Sequence, residues 1–274
     1  MEMNKKFKVV HLSSVHPDYD TRIFHKECAS LTEKYDTSLI IRASTSRLEK
    51  NVRIIALPAP VNRWQRIFKT TFQTYQLALA EDADIYHFHD PELLPIGLML
   101  KLRGNKVIYD AHEDLPRQIR EKDYLPAWVR GPLATLIRWF ENFAARRMSA
   151  VVTATPYIRD KFLAAGARAV DVNNFPMLSE LMLDEPDWES KESVVCYVGT
   201  IWDKRGLFQM LEACELSQTN LLMGGTFSDE GQKAVAESHP GWKHVEYLGH
   251  LDRSGVVDVL KRSTAGLVLL HPIR

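Results

Sequence analysis

Short β-rich apolar runs alternate with longer stretches of helical period from the N-terminus to Pro176. KVVHLSS (8–14), TSLIIRA (37–43), VRIIALP (52–58), DIYHFHD (84–90), KVIYDAHE (106–113), AVVTATP (150–156) and AVDVNNFP (169–176) read as strands. Between them, Arg22–Lys34, Trp64–Ala80, LLPIGLMLKL (93–102) and about 127–148 carry apolar residues at helical spacing. The rhythm then lapses in an acidic stretch with Pro176 and Pro186, and it restarts near Ser193. SVVCYVG (193–199), TNLLMGG (219–225), KHVEYLG (243–249) and AGLVLLHP (265–272) read as strands, with helices at Arg205–Leu216, Asp229–Ser238 and Asp252–Lys261 between them. Alternation of this kind predicts an α/β fold of two parallel sheets, each with helices on both faces. The expected division is 1–178, a linker at 179–192, and a smaller second domain at 193–274.

Composition narrows the class. The 274 residues are 45% hydrophobic and 26% charged, ordinary for a soluble globular protein. Lys plus Arg equals Asp plus Glu at 35 each, which argues against the basic field of a nucleic-acid binder. Cys28, Cys196 and Cys214 are few and far apart, as expected of reduced thiols in the cytoplasm. No signal peptide is legible, and the longest apolar segment, LLPIGLML (93–100), is far short of the roughly 20 residues that span a bilayer. The helix NRWQRIFKTTFQTY has a basic side (Arg63, Arg66, Lys69) and an aromatic one. It reads either as packed on its own sheet or as lying on an anionic membrane surface. RWFENFAARR (138–147) admits the same two readings.

Open α/β sheets bind ligands at the carboxyl ends of their strands. Those ends here read SSVHPDYDTRIFHKE, HFHDPE, YDAHED, YVGTIWDKRG and MGGTF. Asp110, His112 and Glu113 are therefore expected on the rim of a cleft, as candidate catalytic groups. Neither G-x-G-x-x-G nor a P-loop is present, which disfavours a nicotinamide or P-loop enzyme. Gly199, Lys204, Arg205 and Gly206, at the start of a helix, suit a diphosphate. Asp82 and Asp84 form a D-x-D at the amino end of their strand, the wrong edge for a ligand. His87 and His89 share one strand face, structural or functional.

Four of these pieces also carry a family resemblance: VHPDYDTRIFHKE, ADIYHFHDPELLPIG, KVIYDAHE and VCYVGTIWDKRGLFQMLEA. In that order the sequence resembles the retaining glycosyltransferases of family 4, with the two-domain Rossmann-like GT-B fold. VEYLGHLDRSGVVDVLKRSTAGLVLLHP fits the same family's second domain, so the resemblance covers nearly all of the sequence. It implies transfer of a sugar from a nucleotide-sugar donor to a hydroxyl of a sugar or lipid-linked sugar, with retention. It implies neither metal nor organic cofactor, since Lys204 and Arg205 would neutralise the donor's diphosphate. His112 would face the transferred sugar. The first loop would shape the acceptor side, with Ser14, Asp20 and Arg22 as candidates, joined by His89 and Asp90. By family analogy the setting is bacterial surface-polysaccharide assembly, in the cytoplasm or peripherally at the inner face of the plasma membrane.

The family continues past VLLHP with an E-x7-E segment and a final crossing helix. The sequence ends before both, so the second domain is expected to be incomplete, with a truncation at the C-terminus. Three rival readings follow. An inactive remnant or half of a split transferase would fit the short second domain. A GT-B nucleotide-sugar epimerase would share the architecture without an acceptor. A metal-dependent hydrolase would draw ligands from HFHD and DAHE.

Overall fold

The computed structural model describes residues 6–120, 122, 125–176 and 187–269. The protein divides into two compact units, Met1–Phe175 and Pro176–Arg274. Residues 179–186 of the expected linker and 270–272 of the expected last strand lie outside the described residues.

The first unit is built on an eight-stranded sheet in the order β3-β4-β2-β1-β5-β6-β7-β8. Its strands are β1 (Lys8–Pro17), β2 (Asp36–Arg42), β3 (Arg47–Glu49), β4 (Val52–Leu57), β5 (Ile85–Phe88), β6 (Lys106–Ala111), β7 (Ala150–Thr153) and β8 (Ala169–Asp171). Every pairing is parallel except β3 with β4. That antiparallel hairpin corrects the all-parallel expectation. Its turn uses Lys50 and Asn51 at φ 48° and 60°, a two-residue turn without the glycine that marks such hairpins in sequence. Arg47 holds it down, 2.7 Å from Asp18 and 2.8 Å from Glu49.

Strand order reverses at β1. Later strands add first on the β2 side and then, from β5 onward, on the other. The β1–β5 junction is thus the switch point, where loops diverge and leave a crevice at the carboxyl ends. The period-two alternation of a strand sorts the residues there. Val10, Leu12, Tyr86, Phe88, Tyr109 and Ala111 join one core layer, under Ala144, Ala145, Ile158 and Phe162 of two covering helices. His11, His87 and Asp110, each one residue off that set, lie on the opposite face. There a wide helical turn, Thr21–Cys28, packs Ile23, Phe24 and Cys28 against Leu39, Ile41 and Ile54. Each such side chain, fully buried, contributes about 1.5–3 kcal/mol.

A buried ionic brace fixes the segment after β6. Glu141 is fully buried, accepts from the Tyr109 hydroxyl at 3.1 Å, and lies 2.9 Å from Lys161. Lys161 also reaches Asp114 at 3.0 Å. The helices Ala127–Ala145 and Pro156–Ala164 are thereby tied to the residue that follows Glu113.

The second unit holds a four-stranded parallel sheet in the order β11-β10-β9-β12. The strands are β9 (Val194–Val198), β10 (Asn220–Gly224), β11 (Val245–Gly249) and β12 (Ala265–Gly266). Tyr197, Ile201, Leu207, Leu211, Leu221 and Met223 pack on one face, and Val194, Cys196, Leu222 and Val259 on the other. All three cysteines are buried thiols. Among the described residues no helix is long and apolar enough to cross a membrane.

Candidate functional site

The loop after β1 is fixed by one carboxylate. Asp90 accepts from Ser13 Oγ at 2.9 Å, Ser14 N at 2.6 Å and Val15 N at 3.3 Å. Ser14 Oγ lies 3.2 Å from Asp90 and 2.8 Å from Glu92. Ser14 and Asp90 are only 1% and 3% exposed. Both were expected to meet the acceptor. Ser14 is instead spent on Asp90 Oδ2 and Glu92, whereas Asp90 Oδ1 faces His16 Nε2 at 3.5 Å and Asp90 borders the same concavity as His112.

Asp20 opens the helical turn. Its Oδ1 accepts from Arg22 N and Ile23 N, both at 2.9 Å, and its Oδ2 lies 2.9 Å from His16 Nδ1. Burial pushes the Asp20 carboxyl up, but the His16 hydrogen bond and the backbone donors outweigh it and hold it at about 2. The same hydrogen bond raises His16 above the usual imidazole value. Asp20 is therefore a helix cap and ion-pair partner.

Arg22, expected on the acceptor side, points inward. Its Nη2 is 3.1 Å from Asp110 Oδ1 and its Nε 3.4 Å from Asp110 Oδ2, while Nη1 donates to Val172 O at 2.9 Å. Asp110 is fully buried, so it cannot touch a ligand and acts through its partners. His112 Nε2 lies 2.9 Å from Asp110 Oδ2, and His89 Nδ1 lies 3.2 Å from it. Burial pushes the Asp110 carboxyl up, yet the hydrogen bonds from His112 and His89 hold it well below the usual carboxylate range. His89 has no exposed side-chain surface, which likewise makes it a positioning group.

His112 is the member of this set that reaches the surface, with 17% of its side chain exposed. It lines a concavity of about 330 Å³ together with Val15, His16, Glu92, Glu113 and Gln118. Glu113 is exposed on the rim and accepts a hydrogen bond from the Gln118 amide. Val15 also borders a smaller basic concavity of about 230 Å³, lined by Arg42, Asn62 and Arg66.

Beneath His112 lies a group that the sequence did not single out. His11 sits opposite His87 in the β1–β5 register, with ring centroids 4.6 Å apart, and its Nδ1 is 2.9 Å from His89 Nε2. Glu27, on the last turn of the helical segment, is 3.0 Å from Arg22. Burial, then the charge of Asp110, pushes the Glu27 carboxyl up to about 9. Burial brings His87 down to about 3 and lowers His11 and His89. His11 Nε2, His87 Nε2 and Glu27 Oε2 are buried without a hydrogen-bond partner, while Glu27 Oε1 has the Arg22 ion pair. Each such group costs about 1–3 kcal/mol. Alternation in KVVHLSS puts His11 off the apolar face. The adjacency of β1 and β5, which makes it a cluster, is a property of topology alone.

The second unit carries a different kind of site. Gly225, at φ 140°, approaches so closely that a Cβ there would stand 1.8 Å from Gly199 O. Gly199 N donates to Gly224 O at 2.9 Å, Ile201 N to Thr226 O at 2.9 Å, and Gly225 N to Gly249 O at 2.7 Å. The loops after β9, β10 and β11 thus form a floor of bare backbone. Over it stand Lys204 and Arg205, in a single turn at Asp203–Arg205. A Cβ on Gly199 would lie 3.5 Å from Arg205 Nη1, so the guanidinium covers that glycine. Lys204 and Arg205 are exposed and form no ion pair among the described residues; Lys204 Nζ lies 4.9 Å from the Trp202 ring centroid. Gly206 follows at φ 74° and opens the helix Leu207–Ser217, two residues later than the sequence suggests. The D-x-D is structural: Asp84 accepts from Lys8 N at 2.7 Å, at the amino end of β1.

Residues 28–176 match the glycosyl transferase 4-like domain family, more than half of the sequence. The protein belongs to this family. It is a glycosyltransferase with the GT-B fold. Solved structures agree on the fold at low identity. A sucrose-phosphate synthase from Thermosynechococcus elongatus is 12% identical, with 96% of this protein and 75% of that one covered at a TM-score of 0.70. Anabaena HepE, solved with UDP and glucose, is 14% identical over 90% and 70%, at 0.62. A UDP-forming trehalose-phosphate synthase from Burkholderia vietnamiensis is 11% identical over 97% and 78%, at 0.65. No curated protein matches the sequence.

The neutral cluster sets a pH dependence of this glycosyltransferase's stability. His87 stays neutral down to about 3 when folded but takes a proton near 6.5 when unfolded, so acid favours unfolding below about 6.5. His11 and His89 act in the same direction. Glu27 has the opposite sign: the folded state keeps its proton to about 9, so stability falls as pH rises toward that value. Stability of the first unit should peak near pH 6.5, falling at about 1.4 kcal/mol per pH unit for each net proton. Urea unfolding across pH 4–9 checks this. His87→Gln should flatten the acid limb, and an unchanged acid limb would contradict the assignment.

Proposed function

We propose that the protein transfers a sugar from a nucleotide-diphosphate donor to an acceptor hydroxyl with retention of anomeric configuration. The observation that carries this reading is the pair of cations, Lys204 and Arg205, over a backbone floor just ahead of a helix. A diphosphate leaving group gains negative charge as the glycosidic bond breaks. Two cations and a helix N-terminus placed there stabilise that charge as it forms. HepE, of the same fold, was solved with UDP and glucose, which supports a uridine-type donor class.

His112 is the group assigned to the sugar. Asp110 receives its Nε2–H, so Nδ1 is left as an acceptor for a sugar hydroxyl. Arg22 and His89 keep Asp110 ionised and aimed, and so hold the imidazole in one tautomer and one orientation. The 330 Å³ concavity beside His112 and His16 takes the acceptor in this reading, with Asp20 shaping it through His16. With retention, the acceptor oxygen arrives on the face that the phosphate leaves.

The same reading assigns the enzyme to the cytoplasmic assembly of a surface polysaccharide on a lipid-linked acceptor. Exposed Trp64, Phe68 and Phe72 on one helical stretch, and exposed Trp128 and Trp139 on another, support contact with a membrane surface. The protein should therefore co-sediment with anionic vesicles. Equal recovery with neutral vesicles, or binding unaffected by the Trp64→Ser/Phe68→Ser double variant, would rule out this mode of membrane contact.

The donor assignment is tested by calorimetric titration with UDP-, GDP- and ADP-sugars. One donor class should bind, and Arg205→Ala should weaken it by roughly the factor of ten or more that a charge-assisted hydrogen bond is worth. Binding that Arg205→Ala leaves unchanged would move the diphosphate elsewhere.

A further inference from the structure

Below the pocket floor of the first unit, His11 Nε2, His87 Nε2 and Glu27 Oε2 are buried without hydrogen-bond partners, and Glu27 Oε1 has only its ion pair with Arg22 at 3.0 Å. Isolated orphans occur in folded proteins, but buried groups are paired as a rule. Three in one cluster point to something that the polypeptide does not supply. One ligand atom from each of His11, Glu27, His87 and His89 lies within 4.8 Å of the others.

The hydrogen bonds around the group decide which imidazole nitrogens carry lone pairs. Asp110 Oδ2 is an acceptor, so His89 Nδ1, 3.2 Å away, holds a proton and donates it. His89 Nε2 is then unprotonated and accepts from His11 Nδ1–H at 2.9 Å. That leaves His11 Nε2 as a bare lone pair, fully buried, with no donor facing it. The opposite tautomers would turn a His89 lone pair onto the Asp110 carboxylate. Charge points the same way. Glu27 and Asp110 bring two carboxylates, and Arg22 brings one cation, 3.0 Å from Glu27 Oε1 and 3.1 Å from Asp110 Oδ1. Arg22 balances Asp110 alone, so without a further cation Glu27 keeps its proton, and a bound cation would ionise it.

We propose that His11 Nε2, His87 Nε2 and the Glu27 carboxylate form a site for a divalent transition ion of the zinc type, with His89 as the outer-sphere partner that fixes the His11 tautomer. Two imidazoles and one carboxylate are a ligand set that zinc accepts, with a fourth position for water. Bonds of roughly 2.0–2.2 Å require the ligand atoms to close to roughly 3.3 Å of one another, a side-chain adjustment within one cluster. The outer-sphere relay runs His11, His89, Asp110, His112, so the ion sits behind the residue assigned to the sugar and does not meet the substrate. Its role is to pin the turn Thr21–Cys28 to β1 and β5 at the switch point and to hold Glu27 ionised, which leaves Asp110 committed to His112. This site is independent of the cations at Lys204 and Arg205 and of the identity of the donor.

The test uses the full-length protein, stripped with a chelator and titrated with Zn²⁺ alone, then with Co²⁺ for its visible spectrum. The expected result is one equivalent bound at micromolar ion or tighter, cobalt bands of a four-coordinate site, and a raised melting temperature. His87→Gln and His11→Gln should each weaken binding by at least the 10–100-fold that loss of an outer-sphere partner costs. His250→Gln, exposed in the second unit, should bind as the parent does. The wild-type titration decides even if the fully buried His11 variant does not fold. A folded, stripped protein that takes up less than one equivalent, or keeps its binding in His87→Gln, would overturn the proposal. The orphaned atoms would then be met by a proton on Glu27.

Discussion

A carboxylate with no exposed surface, Asp110, is the constraint on which the first unit's site depends. Burying such a charge costs several kcal/mol unless partners replace the lost water. Here the partners come from every element at the switch point. Arg22 comes from the turn after β1, His89 from the end of β5, and His112 from the end of β6. Each must be in place for Asp110 to remain ionised, so the carboxylate converts a requirement for charge balance into fixed geometry. The loop latch at Asp90 and the brace at Glu141 hold the same elements from outside. His112 is the most exposed part of this arrangement, with 17% of its side chain open to the concavity.

The second unit solves a different problem by different means. Its floor is made of backbone, because Gly225 approaches the Gly199 carbonyl too closely to carry any side chain. Its two cations are exposed and unpaired among the described residues, where the first unit's charges are buried and matched. An exposed cation keeps its full value for an incoming anion, since no internal partner must be displaced. In the proposed reaction this division is natural. The leaving group's charge is met by Lys204 and Arg205, and the sugar is met by a rigidly held imidazole.

Much of this is legible in the sequence alone. The α/β alternation, the motifs at the carboxyl ends and the irrelevance of Asp82 and Asp84 follow from strand polarity and period. The family resemblance agrees with the family match over residues 28–176, which hold HFHDPE and YDAHE. Side-chain direction is less legible. Ser14, Asp90, His89 and Arg22 look like surface groups because they lie in loops or near strand ends, yet all are buried, Ser14 against Asp90 and both His89 and Arg22 against Asp110. His11 and Glu27 are invisible there because their significance comes from β1 lying beside β5 and from a helical turn wide enough to aim Glu27 inward. Neither is written in local sequence. The β3–β4 hairpin escapes because Lys50 and Asn51 adopt positive φ without glycine.

Everything said of His112 requires Arg22 and Asp110 to form a coupled, buried pair. A double-mutant cycle on the stability of the first unit, with Arg22→Gln and Asp110→Asn, measures that coupling. The expected result is that each single change costs about 3–5 kcal/mol, because it strands the other group, and that the double variant costs less than the sum by about 1–3 kcal/mol. Costs that add to within about 0.5 kcal/mol would mean that the two side chains do not depend on each other, and that His112 is not held through them.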